Sequence, residues 1–241
     1  MTEAPASGRP RAVVVTGGTG ALGRAVVTAL LARGTRVAVP YRKSAEWDAL
    51  LATTGGREAL LFGRAADMAD PKAAAAFVDE AAARFGGLDG VAAIAGAYAG
   101  SGTLEVAPVE EWSAMLAANL ATAWAVARAA LPHLLKAGGS VVTIGSLSAE
   151  RAGAGAAGYA VAKSAVHALT RVLALENQAR GVRFNCVLPA TIDTPANRRA
   201  MPNADTRRWT PPDAIARVVV FLLSPESAPV TGAFLPVDGP A

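Results

Sequence analysis

Short apolar runs alternate with longer amphipathic stretches along most of the chain. The first run, Ala12–Thr16, is rich in β-branched residues and stops at Gly17. The amphipathic stretch Ala21–Arg33 follows, and Gly34 after it can take the left-handed conformation that ends a helix. Alternation of this kind predicts strands and helices in turn, joined by right-handed crossovers.

The same pattern continues to the carboxyl end. Further strands are predicted for apolar runs at Val37–Pro40, Leu88–Ala95, Ser140–Gly145, Val182–Leu188 and Ala233–Val237. Further helices are predicted from Asp70 and Pro71 to about Phe85, from Pro108 to about Lys136, over Gly158–Ala179, and from Thr210 and Pro211 to about Leu223. We therefore expect a Rossmann-like α/β fold, with a doubly wound, mostly parallel seven-stranded sheet in a three-layer αβα sandwich. Without linkers or repeats, residues 12–241 should form one domain after a flexible N-terminal arm of residues 1–11.

Composition narrows the function classes. Of the 241 residues, 52% are hydrophobic and 17% charged, which suits a sheet buried on both faces. The net charge of +4 comes without a Lys/Arg run, so no nucleic-acid partner is predicted. Cys186, the single cysteine, cannot form an internal disulfide. Since no signal peptide or membrane-spanning apolar run is evident, we expect a cytoplasmic protein without a membrane partner.

A glycine-rich segment joins the first predicted strand to the first helix. It comprises Gly17, Gly18, Thr19, Gly20, Ala21, Leu22 and Gly23, and Gly18, Gly20 and Gly23 satisfy G-x-G-x-x-G. Such glycines let the backbone turn sharply and approach a pyrophosphate, whose charge then lies at the helix N-terminus. This placement predicts a dinucleotide cofactor.

The end of the second predicted strand bears on which dinucleotide is bound. An acidic residue there would bind the ribose 2′-hydroxyl of NAD, but Tyr41, Arg42 and Lys43 occupy the position. The two cations suit the 2′-phosphate of NADP, which a carboxylate would repel. We therefore expect NADP, with NAD as the alternative if Arg42 and Lys43 are only exposed loop charges.

A phenol and an ammonium lie one helical turn apart at Tyr159 and Lys163. A nearby positive charge favours the phenolate, giving a proton donor or acceptor that works near neutral pH. Ser146 ends a predicted strand at the carboxyl edge, where ligands bind in such sheets. Its hydroxyl could hold a substrate oxygen, with Ser148 as a rival for part of that role. The alternative for Tyr159 and Lys163 is an ordinary surface pair.

Together these residues resemble the short-chain dehydrogenase/reductase family, from Val13 to Gly239. The resemblance includes the glycine turn, Asp67, Asn119 and the Ser146, Tyr159 and Lys163 set. Near the end, Thr194, Thr231 with Gly232, and Asp238 with Gly239 also fit. The resemblance implies hydride transfer between a nicotinamide and a carbonyl or alcohol carbon of a small molecule.

The resemblance also implies a role for each matching residue. Tyr159 would be the general acid/base, Ser146 would orient the carbonyl, and Lys163 would lower the tyrosine pKa and bind the nicotinamide ribose. Asn119 would support a water-mediated proton path to Lys163, or else is a polar residue facing water. The remaining cofactor-binding positions that it implies are Asp67, Met68, Ala95, Gly96, Pro189, Ala190, Ile192 and Thr194.

The sequence departs from the family pattern at several cofactor-side positions. The family's Asn-Asn-Ala-Gly is here Ala93 to Gly96, which either loosens the sheet edge or marks a divergent branch. Ala21 stands for a glycine, and Ala190 follows Pro189 in place of another. The changed Ala93 and Ile94 pair favours an alternative function, a non-catalytic cofactor-sensing or binding module. The intact catalytic set argues against it.

The segment at about residues 190–210 is expected to form a substrate lid. Met201, Trp209 and the arginines Arg198, Arg199, Arg207 and Arg208 are candidate substrate neighbours, although the arginines could equally be solvated charge. Trp112 and Trp124 are attributed to core or subunit packing. The resemblance implies pairing through the two long helices, and we expect a homotetramer. No His, Cys and carboxylate cluster has the spacing of a metal site.

Overall fold

The structure, a computed structural model, describes residues 11–151 and 153–239. In those residues the strands are β1 (Ala12–Thr16), β2 (Arg36–Tyr41), β3 (Leu61–Ala65), β4 (Gly90–Ala93), β5 (Gly139–Ile144), β6 (Val182–Pro189) and β7 (Phe234–Val237). The helices are α1 (Ala21–Ala32), α2 (Ser44–Leu51), α3 (Pro71–Phe85), α4 (Val109–Met115), α5 (Thr122–Leu134), α6 (Leu147–Glu150), α7 (Ala157–Asn177), α8 (Pro195–Ala200) and α9 (Pro212–Leu223).

The strands pair in parallel in the order β3-β2-β1-β4-β5-β6-β7. The predicted α/β fold is thus confirmed, and the sheet is parallel throughout the described residues. The chain builds outward from β1 to β3 and then returns to place β4 on the other side of β1. A crevice opens at such a reversal outside the carboxyl ends of the strands, and ligands of doubly wound folds bind there.

Apolar side chains on both faces of the sheet form the core. Val13 and Val15 face α1 and α9, whereas Val14 between them faces the layer that contains α3, α5 and α7. Because successive strand residues point to opposite faces, a strand buried on both faces has a continuous apolar sequence. This explains why apolar runs predicted six of the seven strands. The exception is β3, which lies at the edge of the sheet and is only partly buried.

Several helix ends match the residues that predicted them. Asp70 caps α3 by accepting a hydrogen bond from the backbone N–H of Lys72, and Gly86 ends the helix in the left-handed conformation. Three short helices, α2, α6 and α8, were not predicted. The predicted helix from Pro108 to about Lys136 is continuous over Val109–Leu134. Its middle turn, Leu116–Ala121, is π-helical and separates α4 from α5.

The predicted N-terminal arm, residues 1–11, lies mostly outside the described residues. Arg11, its last residue, does not belong to an arm, because its side chain donates to the Leu223 carbonyl and its own carbonyl accepts from the backbone N–H of Arg36.

Among the described residues, Val109–Leu134 is the one helical stretch that is long and apolar enough to cross a membrane. In this structure it packs against β4 and α3.

Candidate active site

The glycine turn between β1 and α1 is packed too tightly for side chains. Gly17 has a φ of +67°, and a Cβ there would lie 2.8 Å from the backbone nitrogen of Ala95. A Cβ on Gly23 would collide with the Gly17 carbonyl oxygen. The strand, turn and helix therefore approach closely only with glycine at these positions.

The N-terminus of α1 has the properties of an anion site. Gly20 precedes the helix without a capping side chain, and the first turn contains no acidic residue. Ala21 and Leu22 begin the helix, so their backbone N–H groups have no partner within it. Uncapped N–H groups and the helix dipole suit a phosphate, so these residues fit a dinucleotide pyrophosphate.

Five of the residues predicted to bind the cofactor lie at or just after the carboxyl ends of β2 and β3. Tyr41 ends β2 and stacks on Trp47, with ring centroids 5.3 Å apart. Arg42 and Lys43 follow it and are exposed. Asp67 is exposed and accepts a hydrogen bond from the Ala69 backbone, whereas Met68 beside it is buried.

Glu46 is a carboxylate at this site that sequence reasoning missed. It lies on α2, and its Oε2 accepts a hydrogen bond of 3.2 Å from the Thr19 hydroxyl of the glycine turn. Its Oε1 lies 3.8 Å from the Lys43 ammonium nitrogen. Because α2 was not predicted, no signal in the sequence indicated that Glu46 would reach the glycine turn.

Lys163 is buried beneath the carboxyl end of β5. Its Nζ donates a hydrogen bond of 2.8 Å to the Ile144 carbonyl oxygen and lies 5.9 Å from the centre of the Tyr159 ring. Burial lowers the pKa of Lys163 to about 8. The two residues therefore lie close together inside the protein, which rules out the ordinary surface pair.

The expected lowering of the Tyr159 pKa is absent from the structure. Burial of the phenol raises its pKa, the Ser146 hydroxyl opposes that change by hydrogen bonding, and Tyr98 adds to the rise. The expectation fails because desolvation of the phenolate outweighs the stabilising contributions. Tyr98 was not predicted; it is 70% exposed and packs edge-on against Tyr159, with centroids 4.9 Å apart.

Ser146 and Ser148 are hydrogen-bonded to each other. Their Oγ atoms are 2.7 Å apart, and the Ser148 backbone N–H donates to Ser146 Oγ. Ser146 is buried and interacts with Tyr159, whereas Ser148 is exposed. Of the two, Ser146 is the serine that the structure brings to the tyrosine.

His167 was not among the residues predicted for the site. In the structure it is buried on α7, and its Nε2 accepts a hydrogen bond of 3.3 Å from the Ser146 backbone N–H. It stands one helical turn after Lys163 and two after Tyr159, a spacing that places all three toward β5. That spacing was the available signal.

Asn119 lies in the π-helical turn and is only 1% exposed, so it does not face water. Its Nδ2 donates to the carbonyl oxygens of Ala97 and Met115, and its Oδ1 accepts from the Ala97 N–H. A Cβ on Gly96 would lie 2.6 Å from Asn119 Oδ1 and 3.5 Å from Lys163 Nζ. Asn119 and Lys163 thus meet across Gly96.

The altered segment after β4 does not loosen the sheet. Ala93 is in register with Thr16 of β1 and Thr143 of β5. The Ala95 N–H donates to the Thr16 hydroxyl at 3.2 Å. The sheet edge is thus held without the two asparagines of the family pattern.

The expected lid is a loop whose two ends are joined. Ile192 and Thr210 form an isolated parallel bridge, and Thr194 caps α8 by accepting from the Asn197 N–H. The loop follows Pro189 and Ala190 at the end of β6, so it begins at the carboxyl edge of the sheet.

The candidate substrate neighbours in this loop differ in exposure. Trp209 is buried and Met201 is 40% exposed. Arg198 pairs with Asp193 and Arg207 with Asp205, which favours the solvated-charge interpretation for these two arginines. Arg199 and Arg208 are exposed.

No group of three or more potential metal ligands occurs among the described residues. Cys186 is buried in β6, and burial raises the pKa of its thiol to about 11. It is therefore an uncharged core residue at neutral pH.

Comparison with known proteins places this geometry among oxidoreductases. A family model described as enoyl-(acyl carrier protein) reductase matches residues 18–239. The 2-(S)-hydroxypropyl-CoM dehydrogenase 3 of Xanthobacter autotrophicus is 32% identical over 94% of each chain. The L-rhamnose 1-dehydrogenase (NAD(P)(+)) of a Sphingomonas species is 33% identical over 95% of each. The crystal structure of levodione reductase is 29% identical and superposes with a TM-score of 0.88, covering 95% of this chain and 96% of that one.

Proposed function

The chain belongs to the short-chain dehydrogenase/reductase family of NAD(P)-dependent oxidoreductases, and we propose that it interconverts a carbonyl and an alcohol through Tyr159, Ser146, Lys163 and Asn119, with NADPH preferred. One observation carries this proposal. The half-buried phenol of Tyr159 interacts with the Ser146 hydroxyl and lies beside the buried Lys163 ammonium, all at the carboxyl end of β5.

The nicotinamide cofactor supplies or accepts the hydride when it is bound. In the reducing direction, the Ser146 hydroxyl donates a hydrogen bond to the substrate carbonyl oxygen, and Tyr159 donates its proton to that oxygen. The phenolate that remains is stabilised by Lys163, which is mostly protonated at pH 7 because its pKa is about 8. In the oxidising direction the same phenolate accepts the alcohol proton.

The hydrogen bonds of Asn119 leave it a smaller part in proton movement than the water-mediated path that the family resemblance implies. Both hydrogens of its Nδ2 already bind backbone carbonyls, so a water could reach only the remaining lone pair of Oδ1. We therefore propose that Asn119 holds the segment around Ala97 in place and leaves one acceptor toward Lys163.

The two serines provide a matched test of the catalytic proposal. Ser146→Ala should lower kcat by about 10²-fold, as expected for loss of a donor to the reacting oxygen. Ser148→Ala should lower it only a few-fold, since the exposed Ser148 supports Ser146 without reaching Tyr159. The measurement is NADPH oxidation with a panel of small ketones and aldehydes. A larger loss in Ser148→Ala than in Ser146→Ala would contradict this assignment.

NADPH preference is supported by the exposed cations Arg42 and Lys43 at the end of β2. Glu46 opposes it, because its carboxylate bonded to Thr19 would repel a 2′-phosphate placed beside the glycine turn. We propose that the two cations outweigh the single carboxylate. If they do not, the cofactor is NAD.

Variants at these positions should change NADPH binding in opposite directions. Replacing Arg42 and Lys43 together by alanine should weaken NADPH about tenfold or more and leave NADH nearly unchanged, since charge-assisted bonds contribute about 1.5–3 kcal/mol each. Glu46→Gln, of the same size, should tighten NADPH binding. Quenching of tryptophan fluorescence reports both affinities, because Trp47 stacks on Tyr41 beside the two cations. Equal loss of NADPH and NADH in the double variant would contradict NADP selection.

We also propose that the protein assembles from identical subunits through α4, α5 and α7. The apolar side chains exposed on α4 and α5 are Val109, Trp112 and Trp124, and those on α7 are Val161, Val172 and Leu175. The exposure of Trp112 and Trp124 argues against core packing and supports subunit packing. Large apolar side chains exposed together on neighbouring helices are typical of interfaces.

A further inference from the structure

We propose that His167 is a positioning residue: its neutral ring holds the backbone of Ser146, so that activity is lost when the ring is protonated in acid. The inference rests on the proposed function, in which Ser146 orients the substrate oxygen. It adds to the Tyr159, Lys163, Ser146 and Asn119 set a residue that touches neither substrate nor cofactor.

The ring of His167 fills the space beneath the corner between β5 and α6. A Cβ on Gly145 would collide with His167 Nε2, so the strand can approach the ring only because this residue is glycine. On its other side the ring packs edge-on against Phe234 of β7, with centroids 5.5 Å apart. The side chain is 8% exposed and is held by these contacts.

The hydrogen bond from the Ser146 N–H to His167 Nε2 forms where the hydrogen-bonded pairing of β5 with β6 ends. The Gly145 N–H donates to the Val187 carbonyl, the last of these bonds between β5 and β6. The next N–H, that of Ser146, is buried and donates to His167 Nε2. A buried N–H that loses its acceptor destabilises the fold, so the ring stabilises this corner. The Ser146 side chain projects from that corner toward Tyr159.

The direction of this bond fixes the protonation state of the ring. Because Nε2 accepts, it carries no proton, and the proton of the neutral ring is on Nδ1. A second proton on Nε2 would place two N–H groups against each other and push Ser146 away. Since a displacement of about 1 Å can lower a rate about 10²-fold, protonation of His167 should suppress turnover.

The surroundings of the ring keep it neutral at physiological pH. Burial lowers the pKa of His167 below its usual value, and Lys163 and Arg171 on α7 lower it further, while Glu150 of α6 raises it. Gly145 and Phe234 are uncharged, and Cys186 in the adjoining cluster stays a thiol because burial raises its pKa to about 11. With the folded pKa lowered, the stabilising neutral form is present above about pH 6.5 and is lost as the pH falls through the folded value.

The two histidines of the chain allow this inference to be tested without turnover. In His133→Gln, only His167 remains, and its imidazole nitrogens can be followed by ¹⁵N NMR during acid titration. We expect the Nδ1–H form with a midpoint below about pH 6.5. An Nε2–H form would overturn the inference. These spectra decide it even if the wild type shows no turnover with any carbonyl, a result that would instead count against the proposed function.

Turnover variants test the consequence for the reaction. His167→Gln keeps an acceptor without titrating, so it should stay within a few-fold of wild-type kcat at neutral pH. It should also lose the fall in kcat that we expect of the wild type below about pH 6.5. His167→Leu should lower kcat at every pH by about tenfold or more while changing KM for NADPH little. His133→Gln, the matched control, removes a surface histidine paired with Asp79 and should retain the wild-type profile. An acid limb that is unchanged in His167→Gln would overturn the inference. The pH profile of His167→Gln alone tests the inference if His167→Leu does not fold.

Discussion

Lys163 is the residue at which stability and catalysis make opposite demands. Its ammonium is buried with the Ile144 carbonyl as its hydrogen-bond acceptor, and burial lowers its pKa from 10.5 to about 8. The proposed mechanism needs the charge beside Tyr159, whereas folding favours its removal. Such conflicts are typical of active sites, where shifted pKa values concentrate.

This conflict predicts how stability changes with pH. The unfolded chain binds the Lys163 proton up to about pH 10.5, whereas the folded protein releases it at about pH 8, so unfolding free energy rises with pH between these values. Relative to Lys163→Met, the wild type should gain about 2 kcal/mol between about pH 7.5 and about pH 9.5. Urea unfolding of both proteins without cofactor measures this. Equal pH dependence in the two would show that the lysine is not held as described.

Sequence reasoning predicted the candidate site residues that have a local signal in the chain. Tyr159 and Lys163 are spaced by one helical turn, and Ser146 ends a strand that the apolar pattern predicts. Glu46 and His167 were missed because their roles depend on contacts with distant parts of the chain, at Thr19 and Ser146. The predicted direction of the Tyr159 pKa shift was wrong, because the spacing of residues along the sequence does not show how deeply the phenol is buried.

Among the elements, the turn between β1 and α1 makes the sharpest demand on its residues. Gly20 has an ordinary φ of −79°, and a Cβ there would lie 3.3 Å from the Gly17 carbonyl oxygen. A Cβ on Gly23 would collide with the same oxygen. Two glycines of one motif therefore differ in what they tolerate.

We expect Gly23→Ala to lower the free energy of unfolding by about 1–3 kcal/mol, the usual cost of overpacking, and to weaken NADPH binding with it. Gly20→Ala should change stability little, because its Cβ needs only a small adjustment of one carbonyl. Urea unfolding and fluorescence titration measure the two effects. The account of the turn would be wrong if both variants behaved alike.

Helix α2 and the π-helical turn were missed because their sequence signals are weak. Helix α2 buries only Leu50 and has no side-chain cap at its start, so it shows neither the amphipathic pattern nor the usual first residue. The π-helical turn between α4 and α5 contains neither glycine nor proline. It accompanies the bonds of Asn119 to Ala97 and Met115, and π-turns of this kind often mark functional sites. Such tertiary causes leave no local pattern to detect.

For the whole molecule, the exposed apolar face of α7 leads to a prediction about assembly. Val172 is 51% and Leu175 72% exposed, on the helix that also carries Tyr159. Light scattering should find the wild type as a dimer or tetramer, and Val172→Glu with Leu175→Glu should shift it toward monomer, since like charges at an interface repel. Thr170, buried on the same helix, should remain bonded to Thr143 in the variant. A wild-type monomer would contradict the proposed assembly.

We propose above all that Tyr159 moves the proton while the rest of the protein holds the cofactor and substrate around it. Tyr159→Phe keeps the ring against Tyr98 and removes only the hydroxyl. Its kcat in NADPH-dependent carbonyl reduction should fall about 10²- to 10⁴-fold, the usual contribution of a general acid, while its NADPH affinity stays within a few-fold of the wild type. Turnover that survived the substitution would contradict the account and point to another proton donor.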